Sequence, residues 1–431
     1  MNTELLILGG GIAGLGAAAA ARETGSAALV LEAAPRAGGI LDSFEHDGYR
    51  FDNAAHLSFT AEPEALALFD QTPSLTHEAV SYCWDHGSWL RHPVQNNLFP
   101  LPVEDRIALI EGLVAAPSGP IANYRDWLIQ QYGLPIATRW PLVYTEKYWS
   151  VPAASLGIEW IGPRMRKAAL DEVLRGALSG DAPNTYYIKR MRYPARGGYR
   201  AFLEPLIATA EIRCNATVHM VDPARQTVAL TDGTTLSYRH LISTLPLPAL
   251  IGMMPAVPCS IRADAGSLFA TTVDLVSVAL TRPPAAPSLW FYVYDHDILA
   301  ARIHVPSWKS PENAPTGCGS LQFEIYASSR NPLAVPPAGL IENSLDAMER
   351  MGLAARADVV FTHHKHLPWG NVVFDIGMEQ RRDRVRDFVR GQGIGLAGRF
   401  GEWGYLWSDQ ALLSGRRAAR ALLADTATSV P

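Results

Sequence analysis

The first apolar run of the chain, Leu5-Leu6-Ile7-Leu8, is continuous rather than alternating, which predicts a short strand buried on both faces. Glycines follow it. From Ile12 to Glu23 the residues are small or apolar, mostly alanine, and predict a helix. Ala27 to Leu31 is a second apolar strand, closed by Glu32. Strand, glycine turn, helix and strand in that order are the grammar of a βαβ unit. Residues 61–185 carry a mostly helical pattern, with Trp and Tyr dense between Trp140 and Trp160. Strand character returns from Thr217 to Ser243, where alternating apolar residues flank the turn signal Asp232-Gly233. Further β-like runs are Thr272 to Leu280, Leu289 to Tyr294 and Ser320 to Tyr326, with Pro283, Pro284 and Pro287 marking edges or loops. The end reverts to α/β grammar, with a strand at Ile394 to Ala397 and a helix at Asp409 to Leu423.

Composition narrows the class. A chain of 431 residues with 48% hydrophobic and 18% charged residues reads as an ordinary globular protein with a large core. Its net charge of −5 gives no bulk basic field for nucleic acid or anionic lipid. The four cysteines, Cys83, Cys214, Cys259 and Cys318, are scattered without metal-ligand spacing, which argues against a metal site or disulfide framework. They suit a reducing cytoplasm, as does an opening run that leads straight into a glycine turn. No membrane-spanning segment is expected. His363, His364 and His366 cluster without an evident carboxylate or cysteine partner and read as surface. A homodimer stays open.

Candidate chemistry begins at the first turn. Gly9-Gly10-Gly11-Ile12-Ala13-Gly14 is a G-x-G-x-x-G placed after a buried strand and opening a helix. Gly9 allows the tight turn, Gly11 lets backbone approach a pyrophosphate, and Gly14 lets helix and strand pack closely. Glu32, about 20 residues on, is placed to accept from a ribose hydroxyl. Alone, this turn would suggest a dehydrogenase using NAD.

Three segments favour the flavin. Glu32-Ala33-Ala34-Pro35-Arg36-Ala37-Gly38-Gly39 reads E-x-x-x-R-x-G-G, and Leu241-Ile242-Ser243-Thr244-Leu245-Pro246 and Gly395-Leu396-Ala397-Gly398-Arg399-Phe400-Gly401 follow in order. Through them the chain resembles the amine oxidase, protoporphyrinogen oxidase and UDP-galactopyranose mutase superfamily of FAD-binding proteins. The resemblance implies an α/β fold: a discontinuous Rossmann-like FAD-binding domain (1–60, 186–250 and 376–431), a helical insertion (61–185) and a β-rich substrate domain (251–375). It implies that Arg36 neutralises phosphate and that Gly38 and Gly39 admit the isoalloxazine. Val218 joins the cofactor contacts, and Gly398, Arg399, Asp409 and Gln410 belong to the turn and helix at the flavin pyrimidine.

Within that superfamily, four segments resemble the UDP-galactopyranose mutases. Arg91-His92-Pro93-Val94-Gln95-Asn96-Asn97 is similar to their P-x-Q-N-N, and the resemblance implies that Gln95 meets the base. Lys147-Tyr148-Trp149 and Trp160-Ile161-Gly162-Pro163-Arg164 repeat their Trp-to-Arg spacing, with Arg164 on the diphosphate. Trp290, Tyr292 and Arg302 match a base-stacking tryptophan, a phosphate-binding tyrosine and a second diphosphate arginine, and Tyr405 matches a further diphosphate contact. The residue types suit the task, since arginine's planar fork matches phosphate and tryptophan offers a face to a base. Taken singly, each arginine equally suits an ion pair and each tryptophan a core position. Asp52-Asn53-Ala54-Ala55-His56 resembles their D-x-G-G-H histidine loop, but Ala54 and Ala55 replace glycines, and Thr145 and His92 depart from residues near the base.

The resemblance implies a nucleoside diphosphate sugar as substrate, with pyranose and furanose forms interconverted without net redox change, in polysaccharide biosynthesis. Reduced flavin N5 would be the nucleophile, with Arg164 and Arg302 holding the diphosphate and His56 shaping the N5 surroundings. NAD(P)H would serve only to prime the flavin. The alternative is an oxidase or desaturase of the amine oxidase or protoporphyrinogen oxidase kind, whose apolar, aromatic site needs no paired arginines.

Overall fold

The computed structural model describes residues 2–162, 165, 169–181 and 188–427. The expected βαβ unit is present as the strand Asn2–Leu8, the helix Ile12–Glu23 and the strand Ala28–Leu31. These strands belong to a seven-stranded sheet. In spatial order it runs Val218–Asp222, Thr227–Leu230, Thr235–Ser243, Asn2–Leu8, Ala28–Leu31 and Glu211–Arg213, with Ile394–Leu396 added alongside Thr235–Ser243. Pairings around Asn2–Leu8 are parallel, and the 218–243 meander is antiparallel. The opening run is continuous because both its faces are covered. Leu5 and Ile7 pack with Ala13, Ala17 and Leu412 of the helices Ile12–Glu23 and Ser408–Ala427, whereas Leu6 and Leu8 join a cluster containing Leu250, Val385 and Val389.

A second seven-stranded sheet runs Val359–Leu367, Thr271–Leu280, Gly319–Ser328, Arg302–His304, Trp290–Val293, Tyr82–Asp85 and Ser88–Arg91. Its last two strands correct the helical expectation for 61–185. Tyr82–Asp85 and Ser88–Arg91 form a hairpin whose turn residues His86 and Gly87 both take positive φ (46° and 85°). Ser74–Glu78 is also a strand, paired with Arg190–Pro194. Short alternating runs around a His-Gly turn were overshadowed by the helical stretch that follows. That stretch is Val103–Val114, Tyr124–Arg139, Pro141–Trp149 and Leu170–Leu178. No described helix is long and apolar enough to cross a membrane.

Candidate functional site

A cavity of about 830 Å³ runs from the glycine turn to the aromatic helical segment. At one end, Gly9 has φ 101°, and a Cβ on Gly14 would run into the Gly9 carbonyl oxygen. The helix Ile12–Glu23 starts at Gly11 without a side-chain cap and without an acid in its first turn, so its first N–H groups are left for a ligand anion. Gly11, Gly38 and Gly39 line the same end. Glu32 is fixed at the rim, accepting from Gly10 N at 2.7 Å and Ala34 N at 2.8 Å. Gly398, Arg399 and Asp409 also line the cavity. Arg399 donates to Leu406 O and to Asn371 Oδ1 and lies over the Tyr405 ring. Arg36, Val218 and Gln410 do not line it: Arg36 pairs with Asp42 at 2.9 Å, Val218 is buried, and Gln410 accepts from Trp407 N. A glycine-walled turn facing an uncapped helix start fits a dinucleotide diphosphate.

The middle of the cavity is polar and held from behind. His56 Nε2 faces two carbonyl oxygens, Asn53 O at 2.8 Å and Ile40 O at 3.1 Å, so Nε2 carries the hydrogen and Nδ1 is the bare acceptor. Burial pushes its pKa down to about 4, against the pull of Asp52, so the ring is neutral at pH 7. Ala54, where a glycine was usual, sits at φ 79°. Arg302 is bound to the buried Glu324 through Nε at 2.8 Å and Nη2 at 2.6 Å. Glu324 also accepts from the Tyr326 hydroxyl at 2.7 Å and from Ala55 N at 2.6 Å. Burial opposes ionisation of Glu324, but the Arg302 charge and these donors hold its pKa below the usual carboxylate value.

The far end is aromatic. Trp149 packs on Trp160 at 5.0 Å and on Tyr405 at 5.6 Å, and the Tyr148 hydroxyl meets Tyr405 at 3.4 Å. Trp290 Nε1 donates to the Tyr292 hydroxyl at 3.3 Å, and His92 stacks obliquely on Tyr292. Burial lowers the His92 pKa to about 4. Gln95 and Thr145 line this end, and the Thr145 hydroxyl is turned back to Pro141 O. Arg164 lies outside the described residues.

The cavity therefore gathers His56, Gln95, Trp149, Trp290, Tyr292, Arg302 and Tyr405. Reading the sequence missed Glu324, Tyr326 and Asn371, which lie far from the motifs they serve. Lys147, beside Tyr148, does not line the cavity; it donates to Val293 O and Asp295 O, and burial lowers its pKa to about 7. The three late histidines need a correction. His364 Nε2 and His366 Nδ1 both meet Asp274 Oδ1, at 2.8 and 3.0 Å, so a carboxylate partner does exist, one strand away.

A family model described as flavin containing amine oxidoreductase matches residues 12–423. The chain belongs to this family. The family makes FAD the implied cofactor and the chain a flavin-family enzyme. Among solved structures, the chain is similar to reduced UDP-galactopyranose mutase, with a TM-score of 0.92 at 24% identity over 98% of this chain and 96% of that one. It is also similar to cyclohexylamine oxidase from Brevibacterium oxydans IH-35A, with a TM-score of 0.70 at 17% identity over 99% and 100% of the two chains. Putrescine oxidase bound to putrescine matches with a TM-score of 0.66 at 17% identity over 98% and 99%. At these identities the likenesses show the fold, and the fold alone.

Proposed function

We propose that this protein is a flavin-dependent mutase that interconverts pyranose and furanose forms of a nucleoside diphosphate sugar. The observation that carries the reading is the join in one cavity of a phosphate-binding turn, a held arginine and an aromatic far end. When bound and reduced, the flavin supplies the nucleophile, and NAD(P)H is a suitable source of the priming electrons. Gly9, Gly11 and the start of the helix Ile12–Glu23 hold the cofactor diphosphate, with Gly14 packed against the turn behind them and Glu32 beside the ribose.

The remaining work falls to this chain's own side chains. Glu324 occupies Arg302 Nε and Nη2, leaving Nη1 to donate to the substrate diphosphate as it leaves and returns. The Tyr292 and Tyr405 hydroxyls add donors, and Arg164 is proposed as the second cation on the same group. Trp290 and Gln95 receive the base. His56 holds its neighbours by donating from Nε2 and offers Nδ1 as an acceptor toward the cofactor. Such a reaction would supply furanosyl donors for polysaccharide synthesis.

A second reading, an oxidase or desaturase, draws support from Glu324, which already matches the charge of Arg302, and from the tyrosine-rich lining. One experiment separates the two. The FAD-loaded protein, reduced with dithionite under anaerobic conditions, is screened against nucleoside diphosphate sugars by titration and product analysis. The mutase reading expects ring-isomerised product without oxygen consumption, and at least a tenfold loss in Arg302→Ala. Absence of binding by every sugar nucleotide, with substrate-dependent flavin bleaching by amines instead, would sink it.

A further inference from the structure

Asp52 ends the strand Tyr49–Asp52 and leads into Asn53-Ala54-Ala55-His56. Its carboxylate takes four hydrogen bonds. Ser43 Oγ (2.7 Å) and Tyr199 N (2.9 Å) reach Oδ1, and the Tyr193 hydroxyl (2.8 Å) and Lys309 Nζ (2.9 Å) reach Oδ2. The Lys309 and Asp52 side chains are each only 1% exposed. Removing two opposite charges from water is costly, and an apolar pair would fill the same space without that cost. Lys309 comes from the other side of the site, on the short helix Pro306–Lys309 that follows the strand Arg302–His304. The ion pair therefore ties the histidine segment to the short helix that follows the strand carrying Arg302.

A second tie is parallel to the first. Gln322 Nε2 donates to the Asp52 carbonyl at 3.1 Å and to Ser277 Oγ at 3.0 Å, while its Oε1 meets His304 Nε2 at 2.7 Å. With both donor hydrogens and the acceptor in use, the amide has one orientation. Gln322 and Glu324 stand two apart on the strand Gly319–Ser328, and so share a face. One holds the main chain at Asp52 and the other holds it at Ala55.

We infer that Lys309 and Gln322 are positioning residues for the His56 segment. Acting through Asp52, they hold it in one place and hold the His56 ring, which lines the cofactor cavity, as the Nε2–H tautomer with Nδ1 as its acceptor. Neither side chain lines the cavity. The inference rests on the flavin reading of that cavity and on no choice of substrate, and FAD titration tests that reading separately.

The test uses FAD-loaded protein labelled with ¹⁵N-histidine. Lys309→Met alone leaves a buried, unpaired carboxylate and is expected to melt well below the wild type. The double variant D52N/K309M removes both charges and is expected to recover most of the melting temperature. In it, positioning predicts that the His56 nitrogen signals shift or broaden and that the dithionite-reduced flavin is reoxidised by oxygen at a rate changed several-fold. Gln322→Met keeps the ion pair and must move the same His56 signals, which covers the case in which the double variant does not fold. Wild-type His56 signals and reoxidation rate in a folded double variant, or unmoved His56 signals in Gln322→Met, would overturn the inference and leave these residues as structural ties only.

Discussion

Donors from three separate stretches of chain converge on one carboxylate at Glu324, namely Arg302, Tyr326 and Ala55 N. Glu324→Gln preserves size and removes the charge, leaving Arg302, whose side chain is 20% exposed, without its partner. Breaking a fully buried pair costs about 3–5 kcal/mol; Arg302 opens onto the cavity, so the urea midpoint of Glu324→Gln should fall by less than that ceiling. A midpoint within experimental error of the wild type would show that water already solvates Arg302. The neighbouring histidines make a pH prediction. Burial lowers the pKa of His56 and His92 to about 4 and that of His304 well below its ordinary value. In the unfolded chain these rings take up protons near pH 6.5, whereas the folded protein resists until about pH 4. The unfolded state therefore binds more protons in that window, and stability falls as pH drops through it. Urea midpoints at pH 7 and pH 5, above the ordinary carboxylate range, check this, and equal midpoints would contradict it. Arg302 was legible in the sequence because its spacing from Trp290 resembles a known pattern. Glu324 was not, because cross-strand pairing with Arg302 and a bond to Ala55 leave no local trace.

Elements show a similar division. The helix Ile12–Glu23 was legible because alanine and glycine dominate it, and the packing explains why: the helix Ser408–Ala427 crosses it closely. A Cβ on Gly16 would stand 2.6 Å from Leu412 O, and one on Gly415 would run into the Ala13 carbonyl. Gly415→Ala should therefore push the two helices apart at a cost of about 1–3 kcal/mol. Because the same helix start faces the cofactor cavity, the variant should also retain less FAD after gel filtration than the wild type. Gly252→Ala, on the helix Leu247–Met253, is the control, since nothing lies within 4 Å of its added Cβ. Equal melting temperature and FAD content in Gly415→Ala would show that the helices slide apart freely. By contrast, the hairpin at 82–91 was not legible. Its strands are four residues each and form the end of a sheet whose other strands begin 180 or more residues later. Periodicity over so few residues carries little signal.

At the scale of the whole molecule, the cavity draws its walls from Gly9 at one end of the chain to Ala411 near the other. A ligand that fills it touches both sheets' surroundings and the helices between them, so its binding free energy is coupled to the folding of the entire chain. A ligand bound only by the folded state stabilises it by about 2.7 kcal/mol at a hundredfold excess over its dissociation constant. FAD-depleted protein should thus melt several degrees below the loaded form, and its melting temperature should climb with the logarithm of added FAD. Riboflavin has the ring system but no diphosphate, so it cannot use Gly9, Gly11 or the uncapped start of the helix Ile12–Glu23. It should give a much smaller rise at equal concentration. Gly11→Val places bulk at the cavity wall, where its Cβ meets no atom nearer than Gly39 Cα at 4.0 Å, so it should remain folded yet lose the FAD-dependent part of the rise. Scanning calorimetry on the depleted protein measures all three. A rise that is the same for riboflavin as for FAD, or that persists in Gly11→Val, would locate the stabilising contacts at the aromatic end of the cavity instead of at the glycine turn.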